Sequence, residues 1–156
     1  MLGIDPGLAA TGYGLIESAG SVVAWGTIRT PPGPDGARLA RIAERLEEIL
    51  RSAPIGEASM EEMFVGRNAS RAVGVAQARG IMLLLLERAG IPVYEYKPAQ
   101  VKAALTGYGL ADKRHIERMV RVQLGVEGTL DEHSADALAI ALCHLRSRRL
   151  RRATGT

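Results

Sequence analysis

Four side chains in this sequence stand where their neighbours do not explain them: Asp5, Glu61, His133 and Asp136. Asp5 closes the apolar run Met1-Leu2-Gly3-Ile4 and is followed at once by Pro6-Gly7, so it reads as a carboxylate delivered at the end of a buried strand. An acid in that place costs several kcal/mol unless a charge or a hydrogen bond meets it. It is either a turn-former bonding its own backbone or a catalytic or metal-binding group. Glu61 lies within Ala58 to Val65, a stretch with the composition of a buried strand interrupted by two carboxylates. Alternation sends Glu61 and Glu62 to opposite faces, so at most one of them shares the side of Asp5. His133 and Asp136, three apart, share one face at the positive end of an Ala/Leu-rich helix. The plain reading there is a helix-dipole partner beside a satisfied histidine; the sharper one is a pair of ligands.

Whether these residues can meet depends on the elements that carry them. Thr11 to Glu17 and Ser21 to Arg29 read as two strands following the first, with short connections that imply an antiparallel meander. Glycines at 12 and 14 mark places where another group must approach the backbone closely. Thr30 to Gly36, rich in proline and glycine, is a loop. A helix follows, because Leu39, Ile42, Ala43, Leu46, Ile49 and Leu50 fall on one face, and Pro54 and Gly56 end it. Ala58 to Val65 makes the fourth strand, and the polar, basic Gly66-Arg67-Asn68-Ala69-Ser70-Arg71 leads into a long helix stopped by Gly90. That helix is apolar nearly all round from Ile81 to Leu86, which calls for burial on two sides. Ile91 to Tyr96 is the fifth strand; helices from Pro98 to Thr106 and from about Asp112 to Leu124 follow, joined by Gly107-Tyr108-Gly109. The last helix opens with Thr129-Leu130-Asp131-Glu132, a capping-box pattern.

This order predicts an α/β fold with a mixed five-stranded sheet, three antiparallel strands and then two parallel ones, carrying helices on both faces. Right-handed crossovers place the fourth strand beside the first and make Asp5 and Glu61 neighbours. The last helix would add His133 and Asp136. Two carboxylates about 4 Å apart repel by roughly 4 kcal/mol at an effective dielectric of 20, so such a cluster calls for a divalent cation. Oxygen-rich ligation with one imidazole suits Mg²⁺ or Mn²⁺ rather than zinc or copper.

Composition narrows the function classes. At 156 residues and 47% hydrophobic content the chain is one ordinary domain with its own core. A single cysteine, Cys143, excludes a disulfide framework and a cysteine-type zinc site and favours a reducing compartment. No signal segment opens the chain, and the longest apolar run is far too short to cross a bilayer, so a cytoplasmic protein without membrane contact is expected. Net charge is only +3, but the pI near 9.3 rests on unevenly placed bases. All three lysines fall between Lys97 and Lys113, and five arginines crowd Arg146 to Arg152, which suggests a polyanionic partner. The division expected is a domain over residues 1–145 and a basic C-terminal tail over 146–156.

Gly3-Ile4-Asp5-Pro6-Gly7, Thr11-Gly12-Tyr13-Gly14, Glu61 with Phe64, Gln77-Ala78-Arg79-Gly80, Gln100-Val101-Lys102, Ala111-Asp112-Lys113 and Ala135 to Ala141 together resemble the RuvC family of Holliday junction resolvases, collinearly from Leu2 to about His144. The resemblance implies a ribonuclease-H-like fold, a homodimer, metal-dependent paired nicking of four-way junction DNA, and cooperation with the branch-migration complex of RuvA and RuvB. By position, the family's acidic cluster falls on Asp5, Glu61 and Asp136, and the fourth place, an aspartate in many members, is His133. Glu132 competes with His133 for that place, being closer in angle to Asp136. DNA contacts fall on Lys102 and Lys113 by resemblance, and Arg67, Asn68, Arg71 and Arg114 join them as basic or polar neighbours. Phe64 falls on the aromatic that works at the junction centre, where it would stack on an unpaired base; the alternative is an ordinary core aromatic.

Water attack on a phosphodiester in the presence of two cations per site fits these residues, since no serine, cysteine or histidine nucleophile arrangement is apparent. A two-fold junction needs two matched cuts, which an isologous dimer supplies; Ala69, Ala72, Ala76 and Gly80 on the long helix would form its seam. Two rivals are a catalytically silent junction-binding module of the same fold and an actin-like ATPase fragment. The first would gain by losing Asp5, Glu61 and Asp136, because those charges repel phosphate. The second needs a duplicated domain for which the chain is too short.

Overall fold

The computed structural model describes residues 1–63, 69–107, 109 and 112–154, with side chains at all of these except 69–71 and 151–154. Its elements are β1 (Leu2–Asp5), β2 (Ala10–Ile16), β3 (Val22–Arg29), α1 (Asp35–Ser52), β4 (Ala58–Glu61), α2 (Ala69–Arg88), β5 (Val93–Tyr96), α3 (Pro98–Thr106), α4 (Lys113–Leu124) and α5 (Glu132–Thr154). The strands form one sheet in the order β3-β2-β1-β4-β5. β1 runs antiparallel to β2 and parallel to β4, and β5 is parallel to β4. The mixed sheet expected from the element order is therefore present, with the crossover through α1 bringing β4 beside β1.

Alternation along the strands feeds two cores. Leu2, Ile4, Leu15, Ile28, Ala58 and Met60 point to the side covered by α1 and α2, where Ile42, Leu46, Ala78, Met82 and Leu86 meet them. Ile16 and Tyr96 point to the opposite side, covered by α3, α4 and α5 through Val101, Leu105, Ile116, Val120, Leu138 and Leu142. Cys143 is buried in this second core, as its setting in the sequence implies, and burial pushes its thiol up to about 11. On α2 only one side is covered: Leu84 and Val73 remain exposed at 46% and 56%.

Of the boundaries that differ from the sequence reading, three have a visible cause. β4 ends at Glu61 rather than Val65, because β1 has no amide to offer beyond Asp5: the next residue is Pro6. β5 begins at Val93 rather than Ile91, since Ile91 donates back to Leu86 at the end of α2 and the next residue is Pro92. α1 begins at Asp35, inside the expected loop, with the Asp35 charge in its first turn where the helix dipole favours it.

Candidate active site

A cleft of about 450 Å³ opens where β1 and β4 end, beneath the first turn of α5. Ile4 pairs with Met60 in a parallel register, so the next residues, Asp5 and Glu61, leave adjacent strands side by side. Both carboxylates line the cleft. His133 and Asp136 enter from α5, and Lys102 of α3, Lys113 of α4 and Glu132 complete its polar wall. The four residues singled out by type and spacing thus do meet, from β1, β4 and α5.

Glycines let α5 lie that close. A Cβ on Gly3 would run into the Ala137 carbonyl, one on Gly12 into the His133 carbonyl, and one on Gly14 would stand 2.6 Å from the Leu138 side chain. Gly12 is also the antiparallel partner of Asp5. Resting the His133 backbone on Gly12 therefore puts the imidazole next to Asp5, and His133 Nδ1 lies 2.9 Å from Asp5 Oδ2.

The start of α5 is fixed by a residue the sequence reading passed over. Asp131, not Thr129, caps the helix: its Oδ1 accepts from the Ser134 amide at 2.9 Å and the Ser134 hydroxyl at 2.7 Å. Thr27 Oγ1 donates to the same carboxylate at 2.6 Å and Arg29 Nη2 at 2.7 Å, which pins the helix to β3. Although partial burial opposes its charge, these hydrogen bonds hold Asp131 well below the usual carboxylate range. The expected capping box fails because Asp131 meets donors from both the helix and the sheet, leaving Thr129 to accept from Trp25 Nε1 through its carbonyl. Glu132, freed from capping, pairs with Lys113.

Charge in the cleft is out of balance. Burial raises the pKa of Asp5, against the opposing His133 hydrogen bond. Burial followed by the charges of Asp5 and Asp136 raises Glu61. Asp136 is pushed up to about 6, by burial first and by Asp5 second. Three carboxylates that each resist ionising where they are buried form a donor set suited to a hard divalent cation. Among the described residues no three donors close into a ready-made cage. They ring an open cleft instead, with one Asp5 oxygen engaged by His133.

Lys102 and Lys113 line the cleft, while Arg114 is exposed outside its lining. Phe64, Arg67 and Asn68 fall outside the described residues, as does the side chain of Arg71.

Two polar groups were not anticipated. Arg79, on α2, is nearly buried, donates to the Glu61 carbonyl at 3.1 Å and pairs with Glu95; a lone charge amid the apolar face of a helix was the available signal. His144, 1% exposed, bonds Tyr96 Oη at 2.7 Å and Glu57 Oε2 at 3.1 Å and stacks on Tyr94. Eleven residues separate it from His133, about 16 Å along the helix, so it belongs to the far end of α5. The arginine cluster lies there too, and three of its members grip the protein. Arg146 donates to the Ala104 carbonyl and to Gln123, Arg148 pairs with Glu57, and Arg149 donates to the Ser18 and Ala19 carbonyls.

The family model for crossover junction endodeoxyribonuclease RuvC matches residues 1–144. The crossover junction endodeoxyribonuclease RuvC of Chloroflexus aggregans is 48% identical over 148 residues, covering 92% of this chain and 90% of that protein. The protein of the same name from Desulfitobacterium hafniense is 44% identical over 154 residues, covering 94% and 92%. Among solved structures, T. thermophilus RuvC in complex with Holliday junction substrate superposes with a TM-score of 0.87 at 37% identity, covering 96% of this chain and 94% of that one. The sheet order and two-sided helix packing are accordingly those of a ribonuclease-H-like fold. A match running from the first strand to the middle of the last helix, at this identity and with this superposition, means that the chain belongs to the RuvC family of crossover junction endodeoxyribonucleases.

Proposed function

We infer that this protein is a metal-dependent endonuclease that resolves Holliday junctions by paired, symmetric hydrolysis of phosphodiesters, in DNA recombination and repair. The observation that carries the reading is the convergence of Asp5, Glu61, His133 and Asp136 on one cleft whose three carboxylates are all destabilised as anions. Asp5, Glu61 and Asp136, with His133, hold the cation, Mg²⁺ or Mn²⁺, two ions per site. A divalent cation bound there supplies Lewis acidity toward the phosphate and a water acidic enough to attack near neutral pH. With the Asp5 carboxylate ionised, His133 Nδ1 is the donor in their hydrogen bond, which in the neutral imidazole leaves the ring's lone pair on Nε2. A nitrogen donor suits Mn²⁺ better than Mg²⁺.

Lys102 and Lys113 at the cleft, with Arg114, Arg67, Asn68 and Arg71, contact DNA, mainly phosphates; Phe64 stacks at the junction centre. The acids argue against a silent binding module, because three carboxylates facing phosphate weaken binding unless a cation serves chemistry. The protein acts as a homodimer, so that each of two equivalent sites serves one strand of a two-fold junction. The exposed Val73 and Leu84 and the open space beside Gly80 on α2 support that helix as the seam, with Ala69, Ala72 and Ala76. Residues 1–145 form the nuclease domain and 146–156 a basic tail, the described part of which, 146–154, prolongs α5. The branch-migration proteins RuvA and RuvB are partners and the cytoplasm is the site of action; among the described residues no helix is long and apolar enough to cross a membrane.

Nicking of a synthetic four-way junction with Mg²⁺ or Mn²⁺ tests the assignment. Asp5→Asn, Glu61→Gln and Asp136→Asn each bring cleavage to background while junction binding is kept or tightened. His133→Ala weakens the response to both ions, and His133→Asp shifts preference toward Mg²⁺. Wild-type cleavage in any of the three acid variants removes that residue from the site. Normal cleavage by His133→Ala together with loss in Glu132→Gln transfers the fourth place to Glu132.

A further inference from the structure

We propose that Arg79 is the positioning residue for Glu61, standing in for a backbone donor that Pro6 lacks; the proposal rests on the reading of Glu61 as a cation ligand. In the parallel ladder between β1 and β4 the donors of β1 recur every second residue. The Leu2 amide bonds the Glu57 carbonyl at 3.0 Å, and the register Leu2 to Ala58, Ile4 to Met60 assigns the Ser59 carbonyl to Ile4. The next carbonyl, that of Glu61, falls to residue 6. That residue is proline and has no N–H.

Arg79 fills the gap from behind the sheet. Met60 and α2 lie on one face, whereas the Glu61 side chain enters the cleft on the other. From α2, Arg79 Nη1 donates to the Glu61 carbonyl at 3.1 Å and lies 3.6 Å from Met60 Sδ, and its other terminal nitrogen pairs with Glu95 of β5. The arginine side chain is 11% exposed and that of Glu95 is 44% exposed. A buried guanidinium is costly, and an apolar side chain would occupy the same space without that cost. The charge is useful because a planar fork can hold β5 with one nitrogen and the last peptide of β4 with the other. Proline at position 6 releases the chain from the sheet directly after Asp5; Arg79 then keeps the neighbouring strand end from fraying where it carries Glu61.

The experiment compares Arg79→Met, Glu95→Gln and the double variant Pro6→Ala with Arg79→Met, beside Glu61→Gln. Three quantities are read: Mn²⁺ binding by calorimetry without DNA, the carbonyl carbon resonance of Glu61 in metal-free protein, and the split between junction affinity and kcat. Arg79→Met should weaken Mn²⁺ binding about tenfold and lower kcat about tenfold to a hundredfold, leave junction affinity within about twofold, and move the Glu61 carbonyl resonance. Glu95→Gln should do little, since it leaves the carbonyl bond in place. Pro6→Ala restores an N–H and should recover part of the Mn²⁺ affinity lost in Arg79→Met. Wild-type Mn²⁺ binding and an unmoved resonance in Arg79→Met overturn the proposal, as does a Glu95→Gln variant equally impaired. So does Arg79→Met that is unfolded with either residue at position 6, which would make Arg79 a folding residue. Normal cleavage by Glu61→Gln would instead refute the site itself.

Discussion

Replacing Asp136 by asparagine should stabilise the metal-free protein, and only at a pH where the native carboxylate is ionised. Burial and the neighbouring Asp5 hold the Asp136 pKa at about 6, against 3.8 for an ordinary aspartate. The difference of about two units corresponds to roughly 3 kcal/mol, and solvent reaching the partly exposed group brings the expectation to about 1.5–3 kcal/mol. A raised acid contributes stability that is complete below pH 3.8 and is lost as pH climbs through about 6. Metal-free wild type should therefore lose this stability between about pH 4 and 6, while Asp136→Asn keeps it. At about 2–4 °C per kcal/mol the variant should melt roughly 3–12 °C above wild type at pH 7.5, and close to it near pH 4. Thermal melts with EDTA across that range check the difference curve, which cancels titrations shared by both proteins. Millimolar Mn²⁺ should then raise wild type more than the variant, because the cation offsets the charge that asparagine no longer carries. A variant less stable than wild type at every pH, or a difference that does not change with pH, would refute the account of the cleft as crowded negative charge.

Gly12→Ala should displace the first turn of α5 and cost about 3 kcal/mol in urea unfolding, with cleavage lost even where the protein remains folded, since the Cβ meets the His133 carbonyl; unchanged stability and activity would show that α5 does not rest on that glycine. Arg146→Ala with Arg149→Ala should lower stability by about 1 kcal/mol per lost set of hydrogen bonds and leave the salt dependence of junction binding unchanged. A salt slope shallower by about one unit per arginine would instead place these side chains on phosphate.

Much of the site was legible because its signals are local or topological. Asp5 is placed by a strand that stops at Pro6-Gly7, Glu61 by a parallel crossover that leaves few alternatives, and the last helix by the spacing of His133 and Asp136. Gly12 and Gly14 could even be read as landing places, although nothing in the sequence says that α5 is what lands. What the sequence does not show depends on partners far away in the chain. The capping box at Thr129 is a sound local pattern; Asp131 displaces it only because Thr27 and Arg29, about a hundred residues earlier, donate to the same carboxylate. The arginine cluster reads as a nucleic-acid tail by composition, yet Arg149 finds the turn after β2 and Arg146 the end of α3. The use of Arg79 is not legible from its motif, because it depends on a carbonyl of one strand and a proline following another.

The same contrast separates the acids around the cleft into two kinds. Hydrogen bonding to Lys113 holds Glu132 below its usual range, and Asp131 is held down by Thr27, Ser134 and Arg29 against its partial burial. Both already have the positive or donating neighbours that a carboxylate needs, so a cation would have to compete with them. Asp5, Glu61 and Asp136 move the other way, each raised first by burial. Lys113 relieves them only in part, because its strongest link is the hydrogen bond to Glu132 at the rim. Glu132 therefore acts on the site indirectly: it keeps the lysine at the mouth of the cleft, where a phosphate would pass, and leaves the three inner carboxylates only partly compensated. Negative charge left in excess is what gives a divalent cation a reason to bind, and its affinity should rise as pH passes the range in which Asp136 gives up its proton.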